Sequence, residues 1–298
     1  MYKDTRNGWI KCRETIIGGP KEGSYFDPCV IKVNNVFRMY VSGRKDNSIF
    51  LLTSKDGIEW KNEGVVLAHG DEENWDMRVN RPCVIYNDNK YQMWFTGQNR
   101  DYISSIGYAE SFDGKVFVRK SIPILKSECD YEGTSIMNPV VRYCASSCKY
   151  KMWYSCGNSY EPDVVCYAES SDGVEWIKKN NGPVLLPGTF NWDTFKVSVG
   201  DVLFHSGIYY MLYIGYSNID TARVCVAKSK DGIEWKKSSL GPLISPTKKG
   251  WDAHSCYKPT IIIDNDKWYI WYNGRRNRVE SIGYCYRDDI SCKYSLME

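Results

Sequence analysis

The chain has 298 residues, 43% of them hydrophobic, and a formal net charge of +3 from 39 basic and 36 acidic side chains. At ~100–200 residues per domain this length allows one large unit or two small ones, and either can bury a substantial core. The near balance of charge excludes a chain-wide basic field for nucleic acid, and no apolar run reaches the ~18 residues of a membrane span.

At the N-terminus, MYKDTRNGWIKCRET lacks the apolar core of a secretion signal. The expectation is a soluble, cytoplasmic protein with neither a nucleic-acid nor a membrane partner. Twelve cysteines do not read as a disulfide framework, which belongs to short secreted chains. No Cys-x-x-Cys pair occurs, and His69, His205 and His254 are the only histidines. No metal cluster or cofactor is expected.

Taken in chain order, the elements repeat. Asp-Gly recurs at 56–57, 113–114, 172–173 and 231–232, spaced by 57, 59 and 59 residues, with a degraded copy at Asp288-Asp289. Each copy stands inside the same succession. First comes a Pro-led apolar run: DPCVI from 27, RPCVI from 81, NPVVR from 138, GDVLF from 200 and KPTII from 258. An aromatic strand follows, as in FRMYVSG, YQMWFTG, YKMWYSCG, YYMLYIGY and WYIWYNG. A third strand (SIGYAES, VVCYAES, RVCVAKS, SIGYCYR) precedes a fourth that carries Trp and ends on Pro-Val or Pro-Leu. These are short aromatic and β-branched runs parted by Gly, Asn and Asp, with no helical period between them.

Four strands per repeat and five repeats predict an all-β, five-bladed β-propeller of antiparallel blades, one domain over 1–298. The fifth repeat stops after SIGYCYRDDI, and the N-terminal GWIKCRETIIGG resembles its missing strand. That N-terminal strand is expected to complete blade five and close the ring. The alignment also accounts for thiols. Cys29 and Cys83 stand where other blades have Val140, Val202 and Thr260, Cys166 and Cys225 replace Gly107, and Cys285 replaces Ala109. Each is expected as a small buried residue.

Topology sorts residues into two faces. The Asp-Gly turns join strands three and four, and their Ser-x-Asp-Gly-x-x-Trp pattern suits a tight hairpin with an anchoring tryptophan. The opposite face holds the start of strand one, where the residue before the proline differs in every blade: Asp27, Arg81, Asn138, Gly200 followed by Asp201, and Lys258. Packing positions tend to repeat, so divergence where five strands converge marks a candidate site. Trp-Asp at 75–76, 192–193 and 251–252 reads first as a fitting between blades. Asp76 remains a candidate catalytic carboxylate, and Asp193 and Asp252 candidate substrate contacts. Blade three has Cys129-Asp130-Tyr131-Glu132-Gly133 instead, which makes Glu132 a singular acid near the same rim.

Loops between strands two and three add cations to this face. RKDN, QNRDY, SNIDTAR and RRNRVE bring Arg44, Arg100, Arg223, Arg275, Arg276 and Arg278, and NSYEPD is the fifth loop. With Arg78, Arg81, Lys196, His254 and Lys258 they predict a cation-rich funnel. Guanidinium forks suit carboxylate and phosphate groups, so the expected ligand is a sugar bearing an anionic group, or phosphate serves as co-substrate.

The pattern Trp-Asp … Pro-x-Ile … Met-Trp-Tyr-x-Gly … Ile-Gly-Tyr-Ala-x-Ser-x-Asp-Gly-x-x-Trp … Pro-Val-Leu resembles the five-bladed furanosidase superfamily. That group contains glycoside hydrolase families 32, 43, 62 and 68, with the mannoside phosphorylases of family 130 as relatives. The resemblance implies an Asp before the blade-one proline as base or nucleophile, and Asp27 in SYFDPCVI matches it. It also implies an Asp in blade two and a general-acid Glu in blade three. Here those slots hold Arg81 and Asn138, neither of which can do that work.

Glycoside cleavage needs one carboxyl group to protonate the leaving oxygen and a second to activate water or attack. The acid must therefore come from elsewhere on the face: Glu132 first, then Asp76, Asp201 or Asp252. A glycoside hydrolase acting on a carbohydrate ligand is the main expectation. One alternative is a phosphorylase in which Arg81, Lys258 and His254 clamp phosphate beside a single acid. The other is a carbohydrate-binding propeller that has lost its catalytic set.

Overall fold

Among the described residues, the short β-branched and aromatic runs fold as 21 strands arranged in five antiparallel sheets. The computed structural model describes residues 9–288 apart from 160 and 266, so Asp289 of the degraded fifth turn lies outside the described residues. Two short strands come first, β1 (Ile10–Lys11) and β2 (Ile17–Gly18). Blade one is β3 (Tyr25–Val33), β4 (Val36–Gly43), β5 (Ser48–Ser54) and β6 (Lys61–Leu67). Blade two is β7 (Arg78–Asn87), β8 (Lys90–Gln98), β9 (Ser104–Ser111) and β10 (Val118–Arg119). Blade three is β11 (Ser135–Cys144), β12 (Lys149–Gly157), β13 (Val164–Ser170) and β14 (Ile177–Lys179). Blade four is β15 (Lys196–His205), β16 (Ile208–Tyr216), β17 (Ala222–Ser229) and β18 (Lys236–Lys237). Blade five is β19 (Ser255–Asp264), β20 (Lys267–Arg276) and β21 (Val279–Arg287).

The inner strands β3, β7, β11, β15 and β19 touch in that order and return to β3, which makes the ring. Closure follows the sequence expectation. Ile10 and Lys11 pair with Tyr286 and Cys285, and Ile17 and Gly18 pair with Ile282 and Ser281, so β1 and β2 add to the outer side of β21. Among the described residues no helix is long and apolar enough to cross a membrane.

Repeated side chains bolt one blade to the next. The buried strand-two tryptophans Trp94, Trp153 and Trp271 donate their indole N–H to the carbonyls of Gly173, Gly232 and Gly57, at 2.8, 2.7 and 3.0 Å. Each acceptor belongs to the Asp-Gly turn of the following blade, and Trp271 carries the contact from blade five back to blade one. Within the turns the Asp carboxylate accepts two backbone N–H groups, as Asp113 does from Lys115 and Val116 at 2.7 and 3.0 Å. Those N–H groups hold the Asp113 carboxyl down to about 2. The Asp-Gly turns are hairpin devices, as their repetition suggested.

The Trp-Asp tryptophans explain two of the recurring glycines. Trp75 lies over Gly97 and Gly107, where an added Cβ would fall 2.2 and 2.5 Å from its ring. Trp251 lies the same way over Gly274 and Gly283. Blade three has Tyr131 at this point, and in blade four Trp192 stacks on Phe190 with ring centroids 4.7 Å apart. Cys166 and Cys225 stand at the Gly107 position in those two blades, both buried.

The inner-ring thiols have a further task. The Sγ atoms of Cys29 and Cys83 accept the Val84 and Val141 N–H groups of the next blade, both at 3.2 Å. Thr260 Oγ1 does the same for the Val30 N–H at 3.2 Å, and Asp201 Oδ2 for the Ile261 N–H at 2.9 Å. These positions satisfy backbone donors that five converging strands would otherwise leave unpaired.

Candidate functional site

The site begins with a defect in the inner strands. In all five, one extra residue opposes strand two, with register shifts at Phe26/Cys29, Asn80/Cys83, Met137/Val140, Val199/Asp201 and Tyr257/Thr260. The bulged residues are the divergent ones. Asp27, Arg81, Asn138 and Lys258 hold φ of 56°, 54°, 54° and 43°. Left-handed backbone is unfavourable for side chains with a Cβ and disfavoured again before proline. Four such residues at equivalent points are strain that the ring holds in place, and observed strain of this kind points to function. Blade four uses Gly200 instead, where a Cβ would meet Pro259 Cδ and the Leu212 carbonyl at 2.5 Å.

A polar side chain from the end of strand two closes four of the five bulges. The Asp27 N–H donates to Asn273 Oδ1 at 2.7 Å, and the Arg81 N–H to Ser42 Oγ at 2.9 Å. The Asn138 and Val199 N–H groups donate to Thr96 Oγ1 and Ser155 Oγ, both at 3.1 Å. Asn138 is fixed further by its Nδ2, which donates to Ser198 Oγ at 2.7 Å.

Above the bulges opens a funnel of about 600 Å³. Asp27, Arg81, Asn138 and Lys258 lie at its floor, and Arg44, Arg78, Glu161, Tyr216, Tyr257, Arg275, Arg278 and Glu280 are in its wall. Asp27 is buried, and among the described residues its carboxylate has one hydrogen bond, from Ser42 Oγ at 3.4 Å, and no ion pair. Burial pushes its carboxyl above the usual carboxylate range, against the pull of Arg81 and Lys258. Lys258 is equally enclosed, donates to the Gly200 carbonyl at 3.1 Å, and has its ammonium pushed below its ordinary value by burial, with Asp27 opposing. Glu280 accepts from the Tyr257 hydroxyl and from Arg44, whose Nη2 lies 2.5 Å away. Glu161, in the β12–β13 loop, has a carboxylate with no hydrogen bond or ion pair among the described residues.

Several expected residues lie elsewhere. Glu132 is fully buried in a 3-10 turn (Asp130–Glu132) before β11. Lys178 contacts it at 2.8 Å, Tyr154 donates to it at 2.7 Å, and the Glu128 N–H donates at 2.8 Å. Burial alone would raise its carboxyl, but these donors together hold it below the usual range. Asp76, Asp193 and Asp252 repeat the arrangement with Arg119, Lys237 and Lys11, at 2.5, 2.7 and 2.6 Å. In each blade the cation comes from strand four, so these carboxylates tie blade edges together and do not line the funnel.

Asp201 stands where the other blades have proline. Its carboxylate takes the Val202 N–H at 2.8 Å and the Arg142 guanidinium, in the channel beneath the funnel. His254 lines a neighbouring hollow, and Arg78 lies in the funnel wall as expected. Glu161 and Glu280 were missed as site residues, although both end up on the predicted face. They occur in the loops NSYEPD and RRNRVE, and the start of strand three was the available signal.

No family model matches the chain. It is 27% identical over 219 residues to a 1,2-beta-oligomannan phosphorylase of Thermoanaerobacter sp. (strain X514), covering 70% of this chain and 68% of that protein. A thermostable family-43 glycoside hydrolase superposes with a TM-score of 0.74 at 17% identity, covering 90% of this chain and 91% of that one. A structure from the family of mannoside phosphorylases numbered 130, described as containing glycoside hydrolases that target β-1,2 mannosidic linkages in Candida mannan, superposes at 0.73 with 16% identity and 95% coverage of both chains. The structural likeness is one of fold.

Proposed function

We propose that the funnel is the active site of a carbohydrate-active enzyme that cleaves a glycosidic bond, with hydrolysis as its reaction. One observation carries this reading: Asp27 is a buried carboxylate with no ion pair among the described residues, held on strained backbone at the floor of a polar funnel. Burial raises its pKa, which makes it a better proton acceptor near neutral pH than an exposed aspartate.

In this role Asp27 takes a proton from water as the water oxygen bonds to the anomeric carbon. The bond from that carbon to the leaving oxygen breaks, and the leaving oxygen takes its proton from a second carboxyl group. Glu161 is the proposed acid, because it comes from blade three, across the funnel from Asp27, and has no ion pair among the described residues. Glu280 is held by Tyr257 and Arg44, and its proposed role is to position that wall.

Phosphorolysis is the second reading, and Lys258 favours it. This buried ammonium has no acidic partner within ion-pair distance among the described residues, and Arg81 lies beside it in the floor. An inorganic phosphate held there would be matched by both cations. The named activity of the Thermoanaerobacter relative supports the same possibility.

NMR-monitored turnover of a mannoside, xyloside and arabinoside panel, with and without phosphate, tests the proposal. Product without phosphate, lost in Asp27→Asn, supports hydrolysis, and the anomeric signal of the first product reads the stereochemistry. Product only with phosphate moves the assignment to phosphorolysis. Turnover that survives Asp27→Asn removes the proposed role of this residue.

A further inference from the structure

Beside the funnel, blades four and five line a second, open hollow of about 860 Å³. Arg223, His254, Arg275 and Arg278 line it, and Asp220 is the acid among its lining residues. Arg275 and Arg278 also line the funnel, so the two cavities share a wall of guanidinium groups. A chain of sugars seated in the funnel can continue over that wall without leaving the protein surface.

The positive charge there is incompletely matched. Arg275 donates to the Asp220 carbonyl at 2.8 Å, but its Nη2 is 3.8 Å from the Asp220 carboxylate, which is 83% exposed. The Arg275 Nε is buried without a hydrogen-bond partner. Arg223 donates to the neutral Ser217 Oγ at 3.1 Å, and Arg278 makes no hydrogen bond or ion pair among the described residues. His254 Nδ1 accepts the Asn277 N–H at 3.0 Å, which leaves Nε2 as the protonated, donating nitrogen. A neutral glycan gains little from such a wall. An anionic one meets three guanidinium groups and a single, solvent-screened carboxylate.

We infer that the hollow is a subsite for an anionic sugar unit, a uronate or a phosphorylated sugar, carried by an oligosaccharide whose scissile bond lies in the funnel. The inference rests on the funnel being the place where the glycan is cleaved. It extends that reading by naming the charge of the substrate and the residues that select it.

The test uses the full chain and trisaccharides of mannose, xylose and arabinose, each neutral, capped with glucuronate, or carrying a terminal 6-phosphate. Calorimetric titration is expected to give at least one acidic form an affinity roughly tenfold above its neutral counterpart. That advantage shrinks in high salt. Arg223→Ala and Arg278→Ala each reduce it severalfold, and Arg278→Lys restores part of it, with thermal melts confirming the fold of every variant. The arm that shows the preference, uronate or phosphate, identifies the anion.

Equal binding of neutral and acidic forms by the unsubstituted protein overturns the subsite, as does an advantage that neither alanine variant reduces. Turnover on the same panel separates the two readings. Cleavage without acidic preference removes the subsite and leaves the catalytic proposal standing. Acidic preference with no cleavage of any member removes the catalytic proposal and leaves a charge-selective binding site.

Discussion

Among the described residues, four buried carboxylates and Asp27 are built in opposite ways. Asp76, Glu132, Asp193 and Asp252 each face a strand-four cation at 2.5–2.8 Å. Tyr154, Tyr213 and Tyr272 add hydroxyl donors at 2.7, 2.9 and 3.1 Å in blades three to five. Asp27, equally buried, has one hydroxyl at 3.4 Å and no ion pair among the described residues. The four repeat around the ring and are ion-paired internally; Asp27 stands on strained backbone with no such pair among the described residues. A carboxylate buried without an ion pair is the kind of group the proposed acid–base role requires.

That comparison predicts unlike responses to the same kind of substitution. The largest effect is on chemistry: Asp27→Asn should lower turnover by about a thousandfold or more. The fold should not suffer, because burial raises the Asp27 pKa: stability is lost as pH rises from the ~3.9 of an unfolded aspartate through the higher folded value, and the whole cost is present above it. In the role proposed for Asp27, the same shift would set the acid limb of kcat/KM. Activity should fall as pH drops through a value above the ~3.9 of an ordinary aspartate, and a pH–rate profile reads it directly.

Glu132→Gln should do the reverse, stripping the partly buried Lys178 of its closer carboxylate and leaving it the exposed Glu128 at 3.2 Å, at a cost of about 2 kcal/mol. Thermal melting should shift down by several degrees while turnover per folded molecule is retained. Its depressed pKa gives the sign of the pH dependence. The stability it supplies is present above the ~4.3 of an unfolded glutamate and is lost as pH falls through the lower folded value. Melting curves from neutral to acid pH should therefore converge for the variant and the parent. The smallest effect belongs to the turns: Asp113→Ala removes acceptors for two backbone N–H groups and should cost about 1 kcal/mol.

The fold was legible because its repeats carry physical instructions. Asp-Gly fixed the hairpins, the Trp of strand two fixed the contact to the next blade, and the missing fourth strand of blade five required the N-terminal one. The place where the funnel opens was legible too, in the divergence before the prolines. What the sequence could not separate was one acid from another on the same rim. Glu132 looked singular because its blade lacks Trp-Asp, yet in space it takes the same position against a strand-four lysine that Asp193 and Asp252 take. Its identity differs from theirs, but its environment does not. Glu161 and Glu280 carried no motif at all: Glu161 reaches the wall from the β12–β13 loop, whose path no local periodicity encodes, and Glu280 from the start of β21, opposite Arg275.

The division between these carboxylates is tested most directly by assaying Asp27→Asn for glycan turnover and thermal unfolding on one preparation. Turnover should fall at least about a thousandfold, with a melting temperature equal to or above that of the parent. Retained turnover, or activity lost together with the fold, would contradict that division.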